Sequence, residues 1–424
     1  MTIFLIVFLL LIVMGAPIAF ALGLSSVAFV ITNENLSLLF IVQKMFSGTD
    51  SFPLLAIPFF IMAGNLMNMG GVTRRLLDFA NMLVGHWRGG LASVSIVGSM
   101  IFAGVSGSSV ADASGLGSIL IPTMNDAGYD KEYSVAINAT SSTVGILIPP
   151  SIPMVLLASI ANASVRDMFF STAVAGIMIG FGMLGLNAFI SRRKSYPRNE
   201  RVKLREVPKI LMYSLPALIM PAIIILGIVF GIVTATEAAV MAVVYSLIVG
   251  KFVYHELDFR TVISALKETA IQTSVVLFII ATASILSGIL SYLLLPQALA
   301  TWAVTYLQSK VLILAFIGVL ALFTGLFIDV TPALILLGAI FAPVAAAAQI
   351  NPLHFGTVLV TSLAIGLFTP PVGTTLIISS YIAKTSISAG FRYCIPFLVL
   401  MLVILILLVA VPMLSIGLPT LLFY

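Results

Sequence analysis

Hydroxyl, amide and carboxylate side chains are concentrated in one stretch of the chain, residues 104–153, together with glycines and a proline pair. The stretch reads GVSGSSVADASGLGSILIPTMNDAGYDKEYSVAINATSSTVGILIPPSIP. Oxygen atoms of these side chains bind ions and organic acids, whereas glycine and proline interrupt helices. In a membrane-spanning chain, interrupted backbone persists only where it is buried in protein or lines a water-filled cavity. The stretch is therefore the first candidate for a binding site.

The composition identifies the chain as an integral membrane protein. Of its 424 residues, 61% are hydrophobic and only 8% are charged, and the mean hydropathy is +1.21. Soluble proteins carry roughly a quarter charged residues. The apolar runs are long and unbroken, which favours helices over the short alternating strands of a β-barrel. The fold class predicted is an all-α polytopic membrane protein.

The motifs of common enzymes are missing from the sequence. It contains no GxxxxGK[ST] loop for ATP, no HExxH motif and no Ser-His-Asp spacing of a hydrolase. Its one cysteine, Cys394, cannot form an internal disulfide. We therefore predict that the chain is not an enzyme.

Apolar runs predict helical spans across most of the chain. Several are too short to cross a bilayer, which takes about 20 residues, and are expected to be half-helices or re-entrant hairpins. The predicted spans lie near 3–31, 51–70, 91–104, 134–148, 151–163, 168–190, 210–233, 235–253, 262–290, 293–308, 311–326, 331–349, 355–368, 370–383 and 393–416.

A basic segment divides the chain near its middle. Residues 192–209, RRKSYPRNERVKLREVPK, contain eight Lys or Arg and two Glu. The positive-inside rule places such a loop in the cytoplasm. A surface for nucleic acid or anionic lipid is the alternative, but topology alone explains the charge. We predict no nucleic-acid partner, and the bilayer is the expected environment.

The two halves share landmarks that are 221 positions apart. GILIPPS at 145–151 aligns with GLFTPPV at 366–372, and the same offset relates Pro122 to Pro343. Asp112 and Asp329 miss this register by four positions, so we expect a local shift or an indel there. Two structural repeats are predicted, residues 1–190 and 210–424, joined by the loop 191–209. Inverted repeats with discontinuous helices at matching positions are typical of secondary transporters.

The broken stretches have the chemistry of cation sites. Hairpin tips are expected at Gly104 and Gly325, each beside a helix broken at a proline pair, 149–150 or 370–371. Carbonyl groups freed at such breaks, together with hydroxyls, suit Na⁺. Two matched sites predict at least two Na⁺ ions. The predicted ligands are Ser106, Ser108, Gly145, Ile148 and Pro150 in the first repeat, and Gly325, Asp329, Gly366, Thr369 and Pro371 in the second.

The opposite ends of the half-helices expose N–H groups, which favour an anion. Apart from Lys131, neither stretch contains a basic residue, so anion recognition must depend on helix dipoles and hydroxyls. Asp112 and Asp329 either hold a cation or cap a half-helix, and Glu237 either caps a helix or belongs to a site. The predicted solute contacts are Ser108, Ser109, Asp112, Asn138, Ser141, Ser142, Ser151 and Thr374.

Four ordered motifs resemble the large membrane subunit of tripartite ATP-independent periplasmic (TRAP) transporters. They are GVSGSSVADASGLGSILIP, NATSSTVGILIPPSIPMVL, TATEAA and LAIGLFTPPVGTTL, and the similarity covers essentially the whole chain. The motifs are most similar to those of the sialic-acid branch. Phe327 and Ile328 replace the serines of the first repeat, so the second hairpin is expected to contact the solute less.

The resemblance implies a Na⁺-driven elevator with a static scaffold and a moving transport domain. The transport domain is built from about residues 91–163 and 310–390, with scaffold spans before each part and a final scaffold span at the end of the second repeat. It implies two partners, a small four-span membrane subunit and a periplasmic substrate-binding protein. It also implies an organic-acid solute, such as a C4-dicarboxylate or sialic acid, and a multi-pass position in the bacterial inner membrane. Two alternatives stay open: a stand-alone Na⁺- or H⁺-coupled carboxylate carrier, and a channel or structural partner.

Overall fold

The computed structural model describes residues 2–199 and 201–424, and the regular elements in these ranges are all helical. Short 3₁₀ turns occupy Phe52–Leu55 and Ser142–Ile146. The helices of the first half are α1 (Thr2–Val13), α2 (Ile18–Ile31), α3 (Leu38–Thr49), α4 (Ala56–Met69), α5 (Val72–Val84), α6 (Gly90–Ser106), α7 (Ser109–Asp126), α8 (Lys131–Ser141), α9 (Ile152–Ile160) and α10 (Val165–Lys194).

The second half contains ten helices and a π-helical turn at Val249–Val253. They are α11 (Val207–Val229), α12 (Ala235–Ile248), α13 (Phe259–Tyr292), α14 (Leu295–Leu307), α15 (Lys310–Gly325), α16 (Val330–Ala347), α17 (Pro352–Gly366), α18 (Thr374–Ala383), α19 (Ile387–Ala410) and α20 (Met413–Phe423). Among the described residues, seven helical segments are long and apolar enough to cross a membrane. The prediction of an all-α polytopic membrane protein is confirmed.

Three predicted span boundaries were wrong. The run 3–31 is not one helix, because Gly15 adopts a φ of +78° and Pro17 follows it, so α1 and α2 are separate and pack together. The run 393–416 likewise divides into α19 and α20 next to Pro412. No span was predicted between 104 and 134, yet α7 lies there, because its serines and glycines belong to a helix that buries one face, with Leu116 and Leu120, against the surrounding protein.

The helices follow the 221-residue repeat closely. Adding 221 to the bounds of α7, Ser109–Asp126, gives those of α16, Val330–Ala347. The expected indel near the two aspartates is therefore wrong. Asp329 precedes α16 as Ser108 precedes α7, and Asp112 corresponds to Ala333 inside the helix.

The repeats enter the bundle from opposite ends. Near the end of α10, the Tyr133 hydroxyl of α8 donates a hydrogen bond to Asn187 Oδ1 at 2.7 Å. Near its beginning, the Thr357 hydroxyl of α17, the counterpart of α8, donates to Ser171 Oγ at 3.1 Å. Sixteen residues of helix separate these two contacts, or about 24 Å at 1.5 Å per residue. The repeats are inverted, as predicted.

The helices pack into two groups that meet along α13. We call α1–α4 with α11–α13 the frame group, and α6–α10 with α15–α20 the hairpin group. Within the hairpin group the repeats exchange elements: α18 packs on α7 and α8, while its counterpart α9 packs on α16 and α17. The groups meet where α13 contacts α16 and α4 contacts α6. The division into scaffold and transport domain by residue number stays a prediction.

Candidate functional site

A cavity of about 510 Å³ lies between the two groups, at the tips of both hairpins. We call it the solute cavity. The frame group contributes residues of α4 and α13, and the hairpin group contributes the connections α6–α7 and α15–α16 and the start of α9. Its polar lining residues are Asn65, Asn68, Ser106, Ser108, Ser109, Ser114, Glu268, Gln272, Asp329 and Thr331.

Three helix N-termini face this cavity. They belong to α7 at Ser108–Ala111, α16 at Asp329–Thr331 and α9 at Ile152 and Pro153. The first N–H groups of a helix lack intrahelical partners and carry partial positive charge, so N-termini attract anions. The Ala111 N–H of α7 already donates to Ser108 Oγ at 3.4 Å, and Pro153 of α9 has no N–H. The remaining N–H groups at the three helix ends favour a carboxylate.

The charged side chains of the described lining residues are both acidic. Glu268 projects from α13 and accepts a hydrogen bond from Gln272 Nε2 at 3.2 Å, and Asp329 lies at the second hairpin tip. No Lys, Arg or His is among these lining residues. An anion bound here would meet two carboxylates and would need compensating positive charge from elsewhere.

Sequence reasoning missed the frame side of the cavity. Asn65, Asn68, Glu268 and Gln272 lie on helices that were predicted only as spans. Asn65 Nδ2 also donates to Thr269 Oγ1 on α13 at 3.1 Å, linking the two frame helices. The available signal was Glu268, an ionisable residue inside an apolar run, which marks a functional site by default.

The predicted solute residues divide into two sets. Ser108 and Ser109 line the solute cavity, whereas six residues lie outside it: Asp112, Asn138, Ser141, Ser142, Ser151 and Thr374. Several of the six are bonded within the protein: Ser151 Oγ donates to the Ile146 carbonyl at 2.6 Å and Asn138 Nδ2 to the Ala113 carbonyl at 2.9 Å. Their roles in solute binding stay predictions.

Asp112 is the most unusual of these residues. It is fully buried in α7, and neither carboxylate oxygen accepts a well-formed hydrogen bond among the described residues. The Ser99 hydroxyl lies near it but donates to Ser141 Oγ at 3.1 Å. It faces Gly145, where an added methyl group would lie 3.5 Å from Asp112 Oδ2. Ser109 Oγ and Asn138 Oδ1 are also buried without partners. A buried, unpaired carboxylate is costly without a cation or a proton, so these oxygens fit a bound cation.

In the first repeat, the hairpin tip packs against the proline break. Gly107 has a φ of +58° and lies against the Pro150 carbonyl, so a side chain there would be strained and crowded. Ser106 Oγ accepts a hydrogen bond from the Ser108 N–H at 3.4 Å. Ile148 lies beside Gly176 of α10. Ser106, Ser108, Gly145 and Pro150 therefore lie in one region, at the tip and the break, whereas the contact of Ile148 is with α10. The role of these residues as cation ligands stays a prediction.

In the second repeat, the Val372 N–H donates to the Leu326 carbonyl at 3.0 Å and so joins the break to the hairpin tip. Gly325 and Gly366 touch backbone to backbone, leaving no room for a methyl group on Gly366. The Thr374 hydroxyl donates to Asp329 Oδ1 at 3.4 Å, and the Thr369 hydroxyl donates to the Ile365 carbonyl. The peptides before Pro150 and Pro371 are both cis.

Glu237 lies away from both hairpins. It is exposed and forms a capping box with Thr234: its carboxylate accepts from the Thr234 N–H at 2.7 Å, and its own N–H donates to Thr234 Oγ1 at 3.3 Å. This contact satisfies free N–H groups at the start of α12. Of the two alternatives for Glu237, the geometry supports helix capping.

The family model described as "Tripartite ATP-independent periplasmic transporter, DctM component" matches residues 5–414. The chain belongs to the DctM family. It is 36% identical to the sialic acid TRAP transporter large permease protein SiaM of Vibrio cholerae, over 96% of this chain and 95% of that one. It is also 36% identical to the C4-dicarboxylate TRAP transporter large permease protein DctM of Rhodobacter capsulatus, over 96% of each.

A longer relative is the isethionate TRAP transporter permease protein DctMQ of Oleidesulfovibrio alaskensis. It is 35% identical over 96% of this chain but only 64% of its own length. The resemblance to TRAP large subunits is confirmed, and the chain is a TRAP transporter large permease. Together with the seven candidate spans, this identifies a multi-pass protein of the bacterial inner membrane.

The fold is also that of a solved transporter. The YdaH transporter of Alcanivorax borkumensis superposes with a TM-score of 0.67, covering 92% of this chain and 91% of that one. The two sequences are only 14% identical, so the likeness concerns the fold.

Proposed function

We propose that this chain is the permease of a Na⁺-coupled symporter for an organic acid, of the sialic acid or C4-dicarboxylate class. The observation that carries the proposal is the charge of the solute cavity. Three helix N-termini attract an anion, but the charged lining side chains are Glu268 and Asp329, both acidic. An anion would therefore bind well only together with cations. A requirement of this kind couples solute movement to a cation gradient.

The cation is held by hard oxygen ligands. Asp112 and Gly145 would form the first site with Ser106, Ser108 and the carbonyls of Ile148 and Pro150. The second would comprise Gly325, Asp329, Gly366, Thr369 and Pro371. Among the described residues, no three His, Cys, Asp or Glu side chains converge as they would for a transition metal. Carbonyl, hydroxyl and carboxylate oxygens suit a hard cation such as Na⁺.

The movement would be that of an elevator. The hairpin group, carrying the tips and both proline breaks, would shift against the frame group, which holds α13 and the bilayer-facing helices. Support comes from the reciprocal packing of α9 and α18 within the hairpin group, which ties the two repeats together as a joint movement requires. The solute cavity lies at the boundary between the two groups, where a shift changes its access.

Family membership implies the partners. A periplasmic binding protein would deliver the solute, and a small membrane subunit would pair with the frame group. The small subunit is expected to have four spans. DctM-family relatives named for sialic acid, C4-dicarboxylates and isethionate suggest the solutes to test.

Proteoliposomes test the proposal. The chain is reconstituted with its small subunit, and labelled sialic acid, succinate or isethionate is added outside with the cognate binding protein. We expect uptake of one of them that needs an inward Na⁺ gradient, the small subunit and the binding protein. Equal uptake with K⁺ in place of Na⁺ would refute the coupling, and equal uptake by the chain alone would favour a stand-alone carrier.

A further inference from the structure

A second cavity, of about 330 Å³, lies between the same two groups of helices. We call it the serine cavity, because its polar lining residues are serines from both groups. None of its described lining residues is charged. The serines are Ser47, Ser51, Ser159, Ser284, Ser287 and Ser291. Serine hydroxyls both donate and accept hydrogen bonds, so this wall suits a hydrated carboxylate or a polyol.

The repeat relates the serine cavity to the solute cavity. Adding 221 to Ser47, Ser51 and Leu54 gives Glu268, Gln272 and Val275, and all three of these line the solute cavity. On the facing side, Ile335 of the serine cavity corresponds to Ser114 of the solute cavity. The equivalence holds for this part of the frame wall, whereas Ser284, Ser287 and Ser291 of α13 correspond to residues of α4 and its end that do not line the solute cavity.

The two cavities lie toward opposite ends of α13. Helix α13 contributes residues 268–276 to the solute cavity and 280–291 to the serine cavity. Gln272 and Ser284 are separated by about 18 Å along this helix at 1.5 Å per residue. The solute cavity is nearer the beginning of α13, where Arg75 pairs with Glu256 and Ser214 of α11 donates to the Arg75 carbonyl. The basic segment 192–209 leads into α11 at this end of the bundle, which is therefore the cytoplasmic end. The serine cavity lies nearer the other end and so faces the outer side of the membrane.

The hairpin group is displaced relative to the two equivalent walls. The solute cavity meets residues 108–114 at the beginning of α7, whereas the serine cavity meets residues 335–343 of α16, which correspond to 114–122. The centres of these segments differ by seven residues, or about 10 Å of helix. If each repeat adopts the conformation that the other now has, the hairpin group moves along α13 by that distance. The movement brings the hairpin tips to the frame side of the serine cavity.

We propose that Ser47 and Ser51 form the outer wall of the solute's entry path, as Glu268 and Gln272 form the inner wall. The inference rests on the proposed function. A hydrogen bond at 3.2 Å joins Ser51 Oγ to Ser159 Oγ across the two groups, and the shift must break it. An anionic solute then enters past a neutral hydroxyl wall and leaves past a carboxylate. The inner wall has Glu268 where the outer wall has Ser47. The carboxylate repels an anionic solute on the cytoplasmic side, which favours its release there over its re-entry from the cytoplasm.

A matched pair of substitutions tests the outer wall. Ser47→Asp adds the charge that Glu268 has on the inner wall, and Ser47→Asn has nearly the same shape without charge. We expect Ser47→Asp to raise the KM for external solute about fivefold, the effect of unit charges roughly 10 Å apart at an effective dielectric of about 35. Ser47→Asn changes the same side chain without adding charge, so it should raise the KM much less than Ser47→Asp does. Equal KM values for the two variants would overturn the proposal.

A labelling experiment gives a second readout that does not require transport by the variant. In Ser47→Cys, an impermeant maleimide added outside should label the new thiol, and saturating solute with Na⁺ should slow the labelling. Ile232→Cys, exposed and outside both cavities, should show no such protection; the native Cys394 is buried. Failure to label or protect position 47 counts against the proposal. Lack of Na⁺-driven uptake by the unmodified chain together with its small subunit and binding protein would instead refute the proposed function itself.

Discussion

The substitution Asp112→Asn distinguishes the two roles predicted for Asp112, that of a cation ligand and that of a helix cap. The substitution keeps the shape of the side chain and removes its charge. Asp112 is fully buried, and neither of its two oxygens accepts a well-formed hydrogen bond among the described residues. If a Na⁺ ion is bound there, the lost contact is a charge-assisted one of about 1.5–3 kcal/mol. Na⁺ affinity should then fall roughly tenfold to hundredfold.

The same substitution should have the opposite effect on the empty fold. Without Na⁺, a buried and unpaired carboxylate is destabilising, so Asp112→Asn should unfold at the same temperature as the unmodified chain or above it. With Na⁺ at ten times its Kd, the unmodified chain gains about 1.4 kcal/mol from binding. A thirtyfold weaker site leaves about 0.2 kcal/mol at that concentration. The stabilisation by Na⁺ should therefore nearly vanish in the variant.

Thermal unfolding in detergent, with NaCl or choline chloride at equal ionic strength, measures both effects, and Na⁺ titration of uptake measures the affinity. Asp130→Asn is the matched control, since Asp130 pairs with Lys194 at 2.9 Å and lies outside both cavities. It should retain the Na⁺ response. An unchanged Na⁺ response in Asp112→Asn would refute the assignment. Uptake that is driven by pH in the unmodified chain and lost in the variant would make Asp112 a proton carrier.

Four substitutions test other parts of the reasoning. Gly366→Ala should lower the thermal midpoint, because its methyl group overlaps the Gly325 backbone, whereas Gly145→Ala should fold and weaken Na⁺ dependence; a misfolded Gly145→Ala would contradict this. Glu268→Gln should lower the KM for solute efflux from loaded proteoliposomes about fivefold, since the repelling charge is removed; an unchanged value would exclude Glu268 from the release path. The Lys194 ammonium holds the pKa of Asp130 below its ordinary value, so Asp130 stabilises the fold above about pH 4 and this contribution is lost as pH falls. Asp130→Asn should lower the midpoint by a degree or two at pH 7, with no difference from the unmodified chain below Asp130's own pKa.

The backbone features of the site were predictable from the sequence. Gly145, Gly366 and the two proline pairs mark breaks in apolar runs, and a constant offset identifies them as one motif used twice. Glycine and proline act through the main chain, so their effect does not depend on which way a helix faces. The proline breaks were therefore found where the sequence predicts them.

The side-chain surroundings were not predictable in the same way. In a chain that is apolar throughout, hydropathy does not show which face of α4 or α13 meets protein and which meets lipid, because both faces are apolar. Glu268 and Asn65 were therefore passed over. Asp112 and Asp329 were matched by residue type, yet the structure relates Asp329 to Ser108. Side-chain identity drifted between the repeats while the helix positions did not.

The charge balance of the solute cavity links binding and release within the proposed cycle. Coupling is reciprocal, so cations that favour anion binding are themselves bound more tightly when the anion is present. Where Na⁺ is abundant, the hairpin tips bind Na⁺ together with the solute, and the positive charge of Na⁺ compensates the carboxylates of Glu268 and Asp329. On the side where Na⁺ is scarce, its loss leaves the solute facing Glu268 and Asp329 without compensation, and solute affinity falls. The acidic wall, which alone would argue against an anionic solute, thereby becomes the feature that drives its release.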